Sequence, residues 1–339
     1  MRYLFFVICL CWVPLIAAVE WEDRQLFSGA RGTQTLRVIS STDTSVFAPI
    51  IDGFLSANPA LNIEYFVASS ADVYDEFRES PEQFDVVISS AMDLQFKLVN
   101  DGYAQPVQDI NHPDWAQWRQ SLFGFTLESA SIVINKEAFT NLDVPQSRQQ
   151  MIEVLRANPE FFKGKIGTYD VRQSGLGYLF ATQDARASET YWRLMEILGS
   201  LDTRLYCCSG DMIEDLAQGK IMISYNVLGS YAKARADITD KIQVILPNDF
   251  PNTMMRTVLV SRDTALVRAA TSFLRYLTSS GWSSNETTVS LPSLRAATDD
   301  TPASTITLEP GLMIFLDRLK RQAFIKAVSY THLTLPTKA

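Results

Sequence analysis

Histidine is almost absent: the 339-residue chain has two, His112 and His332. A Ser-His-Asp relay needs an imidazole beside its nucleophile, and His112 sits in an Asn111-His112-Pro113-Asp114 turn that reads as a solvated loop. No phosphate-loop, HExxH or spaced Cys/His motif occurs, which removes the groups used for nucleotide hydrolysis and zinc catalysis. A serine of the Ser89-Ser90 turn is the one hydrolase alternative. The expectation is a protein that is not an enzyme, has no cofactor and uses no metal. A bound transition metal would have to rest on tyrosine or carboxylate ligands. Basic runs are also missing, and the formal net charge is -8. Nucleic acid is excluded as the main partner, because phosphate binding needs a basic face.

Long apolar runs are confined to residues 4–18, too short for a comfortable bilayer span and without a basic stop-transfer flank. This run reads as a signal peptide cut after Ala18 or close to it, and it predicts export to the periplasm as a soluble protein. Of four cysteines, Cys9 and Cys11 lie inside the leader. The mature chain keeps Cys207 and Cys208. Adjacent α-carbons are closer than the usual disulfide range, so the pair is either two buried thiols or a strained vicinal disulfide stiffening the turn before Gly210.

What is present is ordinary for a globular protein, with 47% hydrophobic and 20% charged residues. The run 36–41 reads as a strand, and Val46, Ile50 and Phe54 form a helical stripe that must accommodate Pro49. Residues 61–67 and 84–89 follow as strands around a short helix, which makes a βαβαβ start and a parallel sheet. A long strand over 123–135 leaves this sheet as the first crossing to a second α/β unit. Ser147 and Ser174 cap its helices, and 165–169 and 221–225 are its strands. The return falls between Leu246 and Val260. The predicted organisation is a signal peptide over 1–18, lobe 1 over 33–126, lobe 2 over 127–247, a return to lobe 1 over 248–300 and a C-terminal helical segment over 301–328. Residues 329–339 break the preceding pattern and read as a non-native tail resembling adapter read-through, with the true C-terminus missing.

The polar residues gather at strand-to-helix junctions, where free N–H groups and the helix dipole favour an anion. Ser41, Thr42 and Thr44 follow the first strand, Ser89 and Ser90 the third, and Arg172, Ser174 and Gly175 open a helix of the second lobe. Ligands bind beyond the carboxyl ends of parallel strands, so these junctions are placed on one cleft. Each hydroxyl is alternatively a helix cap, and Arg172 alternatively an interlobe salt bridge. Tyr225 and Asn226 end a predicted strand, facing either the cleft or the core. Glu128, Ser129 and Ser131 lie on the first crossing, where Glu128 touches ligand or balances a cation.

Four separated blocks resemble type 2 periplasmic solute-binding proteins of ABC importers, nearest the ferric-ion and phosphoglycerate-type branch. They are Leu36-Arg37-Val38-Ile39-Ser40-Ser41-Thr42, the run from Phe84 to Gln95, Gly167-Thr168-Tyr169-Asp170 with Ser174-Gly175-Leu176-Gly177-Tyr178, and the run from Ser224 to Tyr231. The resemblance covers about 36–327. It implies an α/β, two-lobed Venus-flytrap with a hinge of two crossing strands and a small-molecule ligand between the lobes. It also implies an inner-membrane ABC permease, or a sensor kinase, as partner of a monomer. Ferric-binding members use paired tyrosines where this chain has Tyr225-Asn226. A small phosphorylated or carboxylated anion is therefore expected ahead of ferric iron, which would use Tyr225 and Tyr231.

Overall fold

The structure is a computed structural model that describes residues 21–279, 282, 289–294 and 304–333. The expected signal peptide lies outside the described residues. Among those described, no helix is long and apolar enough to cross a membrane.

The first lobe opens with β1 (Asp23–Ser28), β2 (Gln34–Ser40), α1 (Thr44–Ala57), β3 (Leu61–Val67), α2 (Ser70–Glu79), β4 (Val86–Ser89) and α3 (Met92–Asn100). The apolar spacing of α1 buries Val46, Phe47, Ile50, Ile51, Phe54 and Leu55, with Pro49 inside the helix. Strands β2, β3 and β4 pair in parallel, and all of β4 is buried because helices cover both sheet faces. Two short strands, β5 (Gln117–Trp118) and β6 (Leu122–Gly124), finish this part.

The chain then passes to the second lobe through β7 (Glu128–Asn135). The long strand expected over 123–135 is thus two strands in two sheets. The break at residues 125–127 is the first hinge crossing. The second lobe continues with α4 (Arg148–Ala157), α5 (Pro159–Phe162), β8 (Ile166–Tyr169), α6 (Gly175–Ala187), α7 (Thr190–Ser200), β9 (Arg204–Tyr206), α8 (Ser209–Ala217), β10 (Ile223–Leu228), α9 (Gly229–Lys233) and β11 (Ile242–Ile245). Ser147 and Ser174 cap α4 and α6 through their hydroxyls, as their positions predict. Gly219, at φ +70°, supplies the left-handed residue that stops α8.

The return runs through β12 (Thr253–Met254), beside the start of β7, into β13 (Thr257–Val260) between β4 and β6. Helix α10 (Val267–Thr278) covers the first sheet. The sheet orders are β1-β3-β2-β4-β13-β6-β5 and β11-β7-β10-β8-β9. The chain then crosses a third time. After Leu308 bonds Trp115 in the first lobe, α11 (Arg318–Leu333) buries Phe324 and Val328 in the second. The α11 backbone runs on to Leu333, into the stretch where no helical continuation was expected; a helix already nucleated extends at little cost.

Candidate functional site

Between the lobes lies a small cavity of ≈ 20 Å³, room for roughly one water. It shares Glu22, Asp43, Cys207, Cys208 and Tyr231 of its lining with an outer vestibule of ≈ 700 Å³. The lobes touch across it. Leu176 N–H donates to Ser70 Oγ at 3.0 Å, and Tyr231 O–H donates to Asp43 Oδ1 at 3.2 Å.

Of the predicted residues, Ser41, Ser90 and Ser174 line the cavity. Ser41 Oγ lies 3.3 Å from Ser90 Oγ and accepts the Ser90 N–H at 3.1 Å, so it ties the β2 and β4 junctions together. Ser89 Oγ accepts from Ala91 N–H and supports the second turn. Thr44 opens α1 with its buried Oγ1 unpaired among the described residues, and Gly175 packs between Leu94, Ala91 and Ser70 of the first lobe. The N-cap residue of α1 is Asp43, whose carboxylate turns to Tyr231 instead of capping.

The organising residue is Arg256, which sequence reasoning passed over. It lies between β12 and β13 with a wholly buried side chain. Its Nε donates to Glu128 Oε1 at 2.9 Å and its Nη1 to Thr42 Oγ1 at 2.6 Å. Its Nη2 is buried with no hydrogen-bond partner among the described residues. Burial opposes its charge, but Glu128, Tyr231 and Tyr65 together outweigh that and keep the guanidinium protonated. Thr42 and Glu128 therefore position a cation. Ser230 also donates to Glu128, Ser129 bonds Thr253 at 2.8 Å across the hinge, and Ser131 bonds the Ser129 carbonyl. A lone charge in the run Met254-Met255-Arg256-Thr257-Val258 was the available signal.

Other expectations need correction. Arg172 pairs with Asp170 of its own lobe through Nε at 2.8 Å and Nη2 at 2.6 Å, and its side chain is 47% exposed. It does not line the cavity, because a carboxylate two residues away captures it first. Tyr225 and Asn226 sit inside β10, which continues past them through a bulge with Asn226 at φ 65°. Both bond Asp184, at 2.5 and 2.8 Å, in a buried network with Arg148 and Asn252. Tyr225 and Tyr231 are thus not brought together. His112 is half-buried edge-on to Phe123, away from the cavity lining.

On the mouth side, burial raises the Glu22 and Asp43 carboxyls above the usual range, with help from Asp211 in both cases. Cys207 and Cys208 are free thiols with their sulfurs 3.0 Å apart. Their shared S–H bond lowers Cys207 and raises Cys208.

Two α/β lobes joined by crossing segments with a polar cavity between them make up the Venus-flytrap architecture. The sequence matches no protein-family model and no curated protein significantly. Solved structures do match. The substrate-binding protein of an ABC transporter from Agrobacterium tumefaciens is 29% identical with a TM-score of 0.85, over 91% of this chain and 98% of that one. AfuA of Actinobacillus pleuropneumoniae is 13% identical at TM-score 0.73, covering 89% and 100%. Iron-bound HitA of Pseudomonas aeruginosa is 12% identical at 0.67, covering 88% and 99%. The chain has the fold of the periplasmic substrate-binding proteins of ABC transporters and is similar to their type 2 branch.

Proposed function

We propose that this protein captures a small anionic metabolite, phosphorylated or carboxylated, between its lobes in the periplasm and delivers it unchanged to an inner-membrane ABC permease. The observation that carries this reading is the buried Nη2 of Arg256, without a partner among the described residues, at a cavity lined by serine hydroxyls. An anion leaving water needs several charge-assisted donors. Arg256 supplies the charge, Ser41 and Ser90 supply hydroxyls, and Ser174 with the start of α6 supplies a helix N-terminus. Asp43 and Glu22 face the other end of the space, where their carboxyls suit ligand hydroxyl or amino groups. A phosphate ester of a polyol combines both ends, and fructose-6-phosphate is the ligand bound in the AfuA structure. The inner cavity is far smaller than a metabolite, so entry requires the lobes to part about the hinge.

Calorimetry of the mature chain with phosphate esters, phosphonates, carboxylates and chelated ferric ion tests this. The expected result is saturable one-to-one binding of an anion, weakened in Arg256→Lys. No anion binding, or an affinity indifferent to Arg256→Lys, overturns it. Ferric iron is the second reading, favoured by the Tyr231 hydroxyl and Asp43 carboxylate bonded side by side at the cavity. A coloured iron complex lost in Tyr231→Phe would move the ligand to iron. Hydrolysis of an ester panel abolished by Ser90→Ala would end the binding-only reading, and neighbouring permease or kinase genes separate transport from sensing.

A further inference from the structure

The vestibule carries a group of donors that the anion reading leaves unused. Cys207, Cys208 and Asp211 offer ligand atoms that all lie within 4.8 Å of one another. The Asp211 carboxylate is 3.2 Å from Cys208 Sγ and 3.9 Å from Cys207 Sγ. The Asp43 carboxylate of the opposite lobe lies outside this three-residue group but beside the turn that carries it. A Cβ built on Gly210, between Cys208 and Asp211, would stand 2.9 Å from Asp43 Oδ2. The missing side chain is what lets that carboxylate reach the thiol turn, and the Tyr231 hydroxyl occupies only Asp43 Oδ1. Arg235, the cation lining this vestibule, is already paired with Glu214 and Asp237.

We propose that the mouth of the cleft binds a thiophilic divalent cation of the zinc type, held by Cys207, Cys208 and Asp211 of the second lobe, with Asp43 of the first drawn in from beside Gly210 as the fourth ligand. Two sulfurs and two carboxylate oxygens make a tetrahedral set, and thiolates select zinc-like ions over calcium or magnesium. Tetrahedral binding at usual zinc–sulfur lengths puts the sulfurs roughly 3.7 Å apart. The 3.0 Å pair reaches that by a small side-chain rotation. Because the donors come from both lobes, the ion stabilises the closed form over the open one. Asp43 is shared with the proposed solute site, but Arg256 and the two cysteines are not, so Arg256→Lys reads anion binding and the cysteine variant reads the cation site independently.

The test is titration of the reduced mature chain with Cd(II), followed by thiolate-to-cadmium charge-transfer absorbance and by solution scattering. One ion per chain is expected, displaced by Zn(II), with a decrease in radius of gyration. The Cys207→Ser/Cys208→Ser variant, checked as folded by circular dichroism, should lose the band. Asp43→Asn should weaken binding by about tenfold or more and remove the compaction. A reduced protein with no saturable band overturns the site. A band of unchanged affinity with undiminished compaction in Asp43→Asn overturns the bridging of the lobes.

Discussion

Two buried arginines divide the labour of this protein. Arg148, inside the second lobe, donates Nε to Tyr225 at 2.6 Å, Nη1 to Asp249 at 3.0 Å and Nη2 to Asp184 at 3.0 Å, and stacks on Phe250. Arg256, at the hinge, is equally buried but leaves Nη2 without a partner among the described residues. A guanidinium with every nitrogen engaged holds structure together. One with a nitrogen left over at a cavity is positioned for something the chain itself does not supply. Both are held by carboxylates of the interior, so charge alone does not separate the roles.

The strongest way to break this contrast is to remove the saturated arginine. Arg148→Met leaves Asp184 buried without its cation, and loss of one partner of a buried pair costs about 3–5 kcal/mol. Urea unfolding should show that loss, and Asp184→Asn in the same chain should recover part of it. A change below about 1 kcal/mol would mean that the network is solvated and the contrast is false.

A buried carboxyl without a close cation sharpens the point. Asp93, at the start of α3, is raised from 3.8 to about 7 by burial, with the Leu94 N–H and Arg321 of α11 opposing only in part. Between those values the folded protein holds a proton that the unfolded chain has released. Asp93 therefore costs nothing below about pH 4 and destabilises increasingly as pH rises toward about 7. Asp93→Asn should match the parent at pH 4 and exceed its stability by roughly 2–4 kcal/mol at pH 8. Parallel stability profiles for the two proteins across that range would show that Asp93 is hydrated.

The α/β class and most elements were legible because their signals are local. The stripe of α1, the run of β3 and the serine caps of α4 and α6 all lie where spacing places them. The boundaries that failed depend on which sheet receives the chain. Residues 123–135 have continuous strand character, yet they serve two sheets. The cleft was legible on its hydroxyl side, through Ser41, Ser90 and Ser174. Its charged side was not. Arg172 sits beside an attractive serine-glycine turn, but Asp170 neutralises it. Arg256 stands in an apolar run with no motif around it, and only the tertiary fold brings Thr42 and Glu128 to it.

The two arginines should separate cleanly in binding. Replacing Arg256 by lysine keeps a charge for Glu128 but exchanges the three-nitrogen fork for a single ammonium without the Nη2 donor, and a hydrogen bond to a charged group contributes about 1.5–3 kcal/mol. Anion affinity measured by calorimetry should fall by that amount in Arg256→Lys, while the unfolding midpoint changes less than in Arg148→Met. Equal affinity in parent and variant would leave Arg256 a structural residue like Arg148.

The smallest expected effect belongs to the arginine that the sequence singled out. Arg172 makes a two-point pair with Asp170, but its side chain is nearly half exposed, so water and salt screen much of the attraction. Arg172→Ala should cost less than about 1 kcal/mol of stability. Its larger consequence would be local: Asp170 also accepts the Arg172 backbone N–H, and the Asp170 carbonyl accepts the Ser174 N–H, so the turn that starts α6 keeps its frame without the guanidinium. Ser174 then stays at the cavity, and anion affinity in Arg172→Ala should equal that of the parent by calorimetry. A loss approaching that of Arg256→Lys would mean that Arg172 exchanges Asp170 for ligand when the lobes open, and the unpartnered nitrogen of Arg256 would no longer mark the anion site by itself.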